Sequence, residues 1–399
     1  MRASFLAVLF LASAGLGHAA ASPAVATATP EELAAAALGP VRTWELTGNL
    51  RSGFGFKDNI LLSSAFTDES ALARAEGEIF WWLFPTDRFE ALAFANASLT
   101  RFFESDVNPR EWESFAHGEA RWFATPSFQV TAAAEGFHFD QVFDLSEKSA
   151  AQRMAAPIAV TGAVGSVAVR WTFLPHTWLE LKPSVQRERY REDSVLIFGA
   201  GIALAEDPAP NDNTQQSGRA TLGRTWREGR IELSLAAQYL RRNYDFRARY
   251  ELGGRPVFGA DLDFEQREGE FTASIVWDQA RRWSTKTVLL SGDNRDNGSG
   301  YFDYRRRSLR QEVAWKRDPW KVRLTGRAGR YVYDRQTVGV GIDPPARFKE
   351  DFLGQVRIER QLTKRLTVYT DYLWERSRSN LDIASYRVNT ALLGVDWLF

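Results

Sequence analysis

The sequence predicts an all-β chain: a single up-and-down antiparallel transmembrane β-barrel of about sixteen strands, within a range of fourteen to eighteen. Three observations carry this expectation. Segments that alternate apolar and polar residues repeat from Trp44 to the last residue. Tight reversals and longer polar loops separate them in turn, the rhythm of a barrel whose short turns lie on one side of a membrane. Many segments also place an aromatic just past the tight turn (Phe89, Phe128, Trp178, Trp283, Trp320), where an interfacial girdle would stand.

The N-terminal residues give an address. Arg2 is a short positive region, Phe5 to Leu11 (FLAVLFL) an apolar one, and small residues follow to Ala21. Residues 1–21 therefore read as a cleaved secretory signal peptide, too short to span a bilayer as a helix. Residues 22–43 read as a periplasmic linker with one short helix. Thr29 caps it, Pro30 opens it, Glu31 and Glu32 favour its N-terminus, and Gly39 and Pro40 stop it. The barrel is expected over 44–399.

Tight connectors are expected at Pro85-Thr86-Asp87, Thr125-Pro126-Ser127, Pro175-His176, Glu228-Gly229, Gln279-Ala280-Arg281, Asp318-Pro319 and Thr363-Lys364. All carry turn formers or charged residues. Between them strands are expected near 44–56, 71–84, 88–103, 111–124, 127–143, 157–174, 177–190, 214–228, 230–250, 261–278, 282–291, 301–317, 320–334, 349–362, 365–378 and 386–399. An even count puts both termini on the turn side. Segment 191–213 holds Val195–Leu204 (VLIFGAGIAL), which suits a strand, an inward loop or a lipid-touching hairpin. The first half alternates less cleanly: Phe80, Trp81 and Trp82 put rings on both faces, as do both parities of 88–103. Either these strands pack something inside the barrel or their registers slip.

The last stretch is the clearest. Ala391, Leu393, Val395, Trp397 and Phe399 share one parity, while Thr390, Leu392, Gly394, Asp396 and Leu398 take the other. Side chains alternate across a strand, so one face is wholly apolar and the other carries a carboxylate. In 320–334 and 349–362 the opposite parity brings Arg323 and Arg327, then Arg357 and Glu359. Charges at every second residue would be intolerable in a dry core and suit a wet lumen.

Composition agrees. Aromatics are 13% with 14 Trp, and no window reaches the roughly 18 consecutive apolar residues of a membrane helix. Cysteine is absent, which excludes a disulfide framework and thiolate chemistry. Fifty Lys plus Arg balance fifty Asp plus Glu, so nothing suggests a nucleic-acid partner.

This strand set, closed by an aromatic C-terminal residue, resembles the porin-like outer-membrane β-barrels of Gram-negative bacteria, the putative β-barrel porin group. The resemblance runs from about Trp44 to Phe399 and rests on architecture and the terminal strand. It implies location in the cell outer membrane and passive passage of small polar solutes or ions through a polar lumen. The implied partners are the bilayer with its lipopolysaccharide, the solutes, and the barrel-assembly machinery, which would read Trp397 and Phe399. A homo-oligomer stays open, and no cofactor or metal is expected.

On parity, the lumen candidates are Arg242, Arg310, Arg323, Arg327 and Arg357 with Glu232, Glu312, Glu359, Asp371, Glu375 and Asp396. Opposed rows of basic and acidic groups would orient polar solutes, whereas mutual pairing would fill a narrow interior. Tyr331, Tyr333 and Tyr369 suggest an aromatic slide for sugars. The run Tyr304–Arg307 (YRRR), with Arg241, Arg242 and Arg247, falls near the loop-side rim, where it would meet lipopolysaccharide phosphates or simply end a solvated strand. Two other classes remain: a plugged barrel for polysaccharide export or surface-complex assembly, and an outer-membrane lipase or protease. Only His117, His138 and His176 follow the signal segment, and GxSxG and HExxH are absent, so an enzyme is not expected. The oxygen-rich runs 206–213 and 293–297 lack calcium-loop spacing.

Overall fold

A computed structural model describes residues 43–63, 67–106, 108–144, 155–191, 211–251, 255–339 and 341–399. The expected signal peptide, all but the last residue of the linker, and most of 191–213 lie outside the described residues.

Sixteen strands follow one another. The first eight are β1 (Trp44–Lys57), β2 (Ser70–Leu83), β3 (Phe89–Phe102), β4 (Arg110–Thr125), β5 (Phe128–Asp144), β6 (Ala155–Leu174), β7 (Thr177–Arg191) and β8 (Asn213–Trp226). The second eight are β9 (Ile231–Tyr250), β10 (Pro256–Val276), β11 (Trp283–Asp296), β12 (Tyr304–Arg317), β13 (Trp320–Thr337), β14 (Ala346–Gln361), β15 (Leu366–Ser379) and β16 (Tyr386–Leu398). Each pairs antiparallel with its chain neighbours and β16 returns to β1, so the sheet is a closed up-and-down barrel. The ring passes directly from β7 to β8. Closure gives every strand two partners, which is what a sheet needs where no water can satisfy its backbone.

Alternation sets the two faces. In β1, Trp44, Leu46, Leu50, Phe54 and Phe56 are exposed on the outside, while Arg51 and Lys57 share the inward parity. In β16, Leu393, Val395, Trp397 and Phe399 face out and Asp396 faces in, as the sequence predicts. The outward face is also polarised along the barrel axis. Trp44, Trp122, Trp171, Trp226, Trp283 and Trp320 ring the turn end. Arg101, Arg189, Arg241, Arg305, Arg330 and Arg378 stand exposed near the loop end.

Side chains help to close the turns. Thr86 Oγ1 accepts the Phe89 N–H at 3.0 Å, and Thr363 Oγ1 accepts that of Leu366 at 3.0 Å. Asp278 Oδ1 accepts the N–H groups of Arg282 and Trp283. At the β8–β9 turn, Arg227 and Glu228 both take positive φ (51° and 57°) and Gly229 continues at 81°.

In the ambiguous first half the registers of β2 and β3 are unbroken, and Phe94 and Phe102 of β3 face inward into buried clusters. Phe115, Phe137, Phe139, Ile158, Val160 and Tyr190 all face inward and form a buried cluster on β4–β7, joined by Phe94 and Val164. Gly162 lies beneath the Phe137 ring, where a β-carbon would come within 2.2 Å of a ring atom. The interior wall is therefore apolar here, and both parities read as hydrophobic. Trp178 corrects the girdle expectation. It is only 9% exposed and points inward, resting on Gly223 with the Arg170 guanidinium 3.9 Å from its ring centroid. A ring just past a turn carries no information about which face it takes.

The seam between β1 and β16 is built from aromatics on glycine. Outside, the Phe399 ring covers Gly48, and the two residues exchange backbone hydrogen bonds of 2.9 and 3.3 Å. Inside, the Tyr369 hydroxyl covers Gly53 and Gly394, which are register partners. Neither place has room for a side chain.

Candidate functional site

The lumen is the site. A cavity of about 710 Å³ runs along the wall formed by β13–β16 and β1–β5. Its lining includes Lys57 and Leu62 at the loop end and Lys321 and Glu359 towards the turn end. Inward parity delivers charged groups strand by strand, and they interlock.

Arg51 is the hub nearest the seam. Its Nη1 donates to Glu76 Oε1 at 2.8 Å and its Nη2 to Asp396 Oδ2 at 3.0 Å, linking β2, β1 and β16. Arg74 lies 3.7 Å from Glu76 and 3.9 Å from Glu113, extending the chain of charges towards β4. Lys57 reaches Glu111 at 3.0 Å across the mouth. On the other side Arg357 donates through Nε to Glu359 at 2.6 Å and faces Asp371 at 3.5 Å, while Lys321 donates to Glu359 at 3.0 Å. Arg357 also stands 4.5 Å from the Tyr369 ring centroid.

Arg323 makes no ion pair or hydrogen bond among the described residues, although it lines the same cavity. Its register partner on β14 is Arg357, itself committed to acids. On β13, Lys321, Arg323 and Arg327 face inward without an acidic residue between them. In the closed ring β4 and β5 lie seven and eight places from β13, close to diametrically opposite. They carry Glu111, Glu113, Glu119 and Glu135 on the inward parity. Arg327 lies seven residues past the turn-end start of β13 and Glu135 seven past that of β5, so they stand at similar height. A field therefore crosses the lumen from β13 to β4–β5. In water a unit charge about 6 Å away is worth roughly 0.7 kcal/mol to a passing ion.

The candidates named from parity all face inward, but not all line the cavity. Arg323, Arg327, Arg357, Glu359, Asp371 and Glu375 do. Asp396 is held by Arg51 beside the seam. Arg310 and Glu312 pair with each other on β12 at 2.7 Å, and Glu232 is exposed at the turn end of β9. Arg242 corrects the expectation: it is 4% exposed, packed against Tyr244 and donating to its hydroxyl at 3.2 Å, so it is part of a plugged wall. The tyrosine slide is not formed. Tyr331 and Tyr333 are 1% exposed and meet Tyr304 edge to face, and Tyr369 is spent on the seam glycines. The parity argument left out Arg51, Lys57, Arg74, Glu76, Glu78, Glu111 and Glu113. The signal was present, since Arg74, Glu76 and Glu78 alternate with Ala73, Ala75 and Gly77.

The first loop narrows the mouth. Asn59 donates to the carbonyls of Ser63 and Arg387, Asp58 accepts the Asn389 N–H at 2.6 Å, and Ile60 is buried on the inward residues Leu72 and Phe102.

No protein-family model and no curated protein matches this sequence. Solved structures do match in fold. OccAB1 of Acinetobacter baumannii aligns at 9% identity over 91% of this chain and 98% of its own, with a TM-score of 0.48. OprD of Pseudomonas aeruginosa aligns at 9% over 91% and 95%, with a TM-score of 0.43. A BenF-like porin from Pseudomonas fluorescens Pf-5 gives 9%, 90% and 100%, with a TM-score of 0.43. These likenesses stop at the barrel, and no solute, gate or residue role transfers from them.

The three histidines and Asp296 among the described residues are placed as follows. His117 faces inward with Glu119 and Glu135 at 3.5 and 3.3 Å, His138 Nδ1 faces Thr161 Oγ1 on the outside, and His176 is in a tight turn. Asp296 spends both carboxylate oxygens on the N–H groups of Gly298, Gly300 and Phe302.

Removing the hub should weaken the wall. Arg51→Met leaves Glu76 and Asp396 without their shared cation. Breaking a fully buried pair costs about 3–5 kcal/mol, and a wet lumen reduces this to about 1–2 kcal/mol. Urea denaturation of the refolded barrel should show the lower midpoint, and an unchanged midpoint would remove Arg51 from the account of stability.

Proposed function

We propose that the chain is an outer-membrane channel for passive diffusion of small polar solutes or ions. The observation that carries this is the single charged cavity reaching from Lys57 and Leu62 to Lys321 and Glu359. Most of its charged lining groups are paired with one another and can exchange partners with a solute, and Arg323 presents its charge without an acidic partner among the described residues. The outward face supports the membrane setting: large apolar side chains circle the barrel, tryptophans gather at the turn end and arginines at the loop end. On this reading residues 1–21 direct export, the turns face the periplasm, and Trp397 and Phe399 present the end read by the assembly machinery.

The test is single-channel recording of the refolded barrel in a planar bilayer. A stable ohmic conductance is expected. A silent bilayer with a heat-resistant, β-rich protein would overturn the channel and turn attention to an export component or anchor. Deleting Asn59–Ser63, which removes Ile60 from the mouth, should raise the conductance. An unchanged value would show that the first loop does not set the constriction.

A further inference from the structure

We propose that the outward face of β9–β14 holds one phosphate-bearing lipid of the loop-side leaflet, its acyl chain in a groove and its phosphate on Arg307 and Arg330. The groove has a volume of about 860 Å³ and lies on the outside of the wall, away from the lumen. Strand register explains its shape. One outward row runs Leu235, Phe271, Leu289, Leu309, Ala328 and Phe352, each the register partner of the next. The row above it, towards the loop end, runs Ala237, Gly269, Ser291, Arg307, Arg330 and Glu350. Large apolar side chains thus border a floor of Gly269, Ser291 and Ala328, and guanidinium groups border the loop end.

The charges point to an anion. Arg307 and Arg330 are direct cross-strand partners on the same face, an arrangement that is destabilising unless something negative lies between them. Glu350 is shared by Arg330 at 3.8 Å and Arg378 at 4.0 Å. Arg307 meets no carboxylate among the described residues. Its height is right for a head group. Arg307 and the outward Trp315 are eight residues apart on β12, which at a rise of about 3.3 Å and a tilt near 40° separates them by about 20 Å along the axis. A tryptophan at one interface therefore puts Arg307 at the other, where phosphates lie and acyl chains begin. An occupant of a groove facing hydrocarbon must be apolar, and one beneath paired arginines must be anionic at its end. A phosphorylated lipid is both. The inference uses only the outward face, so a bilayer silent to conductance leaves it standing.

The test is native mass spectrometry of the full chain folded in nonionic detergent, with phosphatidic acid, diacylglycerol of the same chains, and inorganic phosphate as probes. Wild type should retain phosphatidic acid. The double variant R307Q/R330Q should bind it roughly thirtyfold more weakly, about fivefold per arginine, while diacylglycerol binding stays unchanged. Gly269→Leu fills the floor, and its β-carbon has open space, with the nearest atom at 3.9 Å. It should displace both lipids; Ser291→Leu serves if that variant does not fold. Phosphatidic acid retained undiminished by R307Q/R330Q or by the filled groove would overturn the proposal. So would equal competition by inorganic phosphate, or a dimer of the chain in place of the lipid adduct.

Discussion

Arg323→Glu should swing the channel towards cations, lowering its anion-over-cation permeability ratio by about tenfold or more. The size follows from the unit-charge estimate: reversal doubles the change, to about 1.4 kcal/mol for each passing ion, which is about a factor of ten. Arg323 is the position of choice because it is the inward arginine of β13 with no acidic partner, so its charge is presented to solutes and not spent on the wall. Lys321 and Arg357 are neighbours that already serve Glu359. The measurement is the reversal potential in a tenfold salt gradient, recorded below about 0.1 M, where charges act over about 10 Å. The matching change on the opposite wall, Glu113→Gln, should push the ratio the other way. A reversal potential that ignores both substitutions would mean that ions do not pass between β13 and β4.

Gly48→Leu should prevent closure. A β-carbon at Gly48 would fall 2.5 Å from the Phe399 ring, and a leucine there must push that ring off the seam at the point where Phe399 exchanges backbone bonds with Gly48. Overpacking alone costs about 1–3 kcal/mol. Opening the seam adds several kcal/mol for each backbone group left unpaired in hydrocarbon. Refolding into detergent and running unboiled gels reads the outcome: the heat-resistant, fast-migrating form should disappear in Gly48→Leu and be strongly reduced in Phe399→Ala. Gly77→Leu is the control, since it also faces outward but has a nearest neighbour at 3.6 Å, the flexible end of Leu50. If Gly48→Leu folds as well as Gly77→Leu, the aromatic-on-glycine seam is not what closes the barrel.

The fold was legible because alternation is a local signal repeated many times. Strands such as β15 and β16 present one apolar and one polar face, and each strand repeats the evidence independently. Legibility failed where the interior stops being wet. On β4–β7 part of the inward face is a cluster of Phe, Ile, Val and Tyr packed on one another, and in that part parity no longer separates lipid from lumen. The same limit hid Trp178, whose inward turn depends on the absent side chain of Gly223, a strand away. Of the site, parity found which residues point inward but not which are used up by neighbours. Arg242 and Tyr331 have the right parity, but Arg242 is buried against Tyr244 and Tyr331 against Tyr304, which removes them from the pathway. That information is in the tertiary register, which no single segment contains.

The interlocked lining also bears on how such a molecule changes over generations. Backbone ladders in the wall have no substitute partner, and the seam glycines admit no larger residue. The charges that line the cavity differ: several have more than one partner within reach, and losing one costs the barrel less than losing a rung of the ladder. Selectivity can therefore drift by single substitutions while the container stays the same.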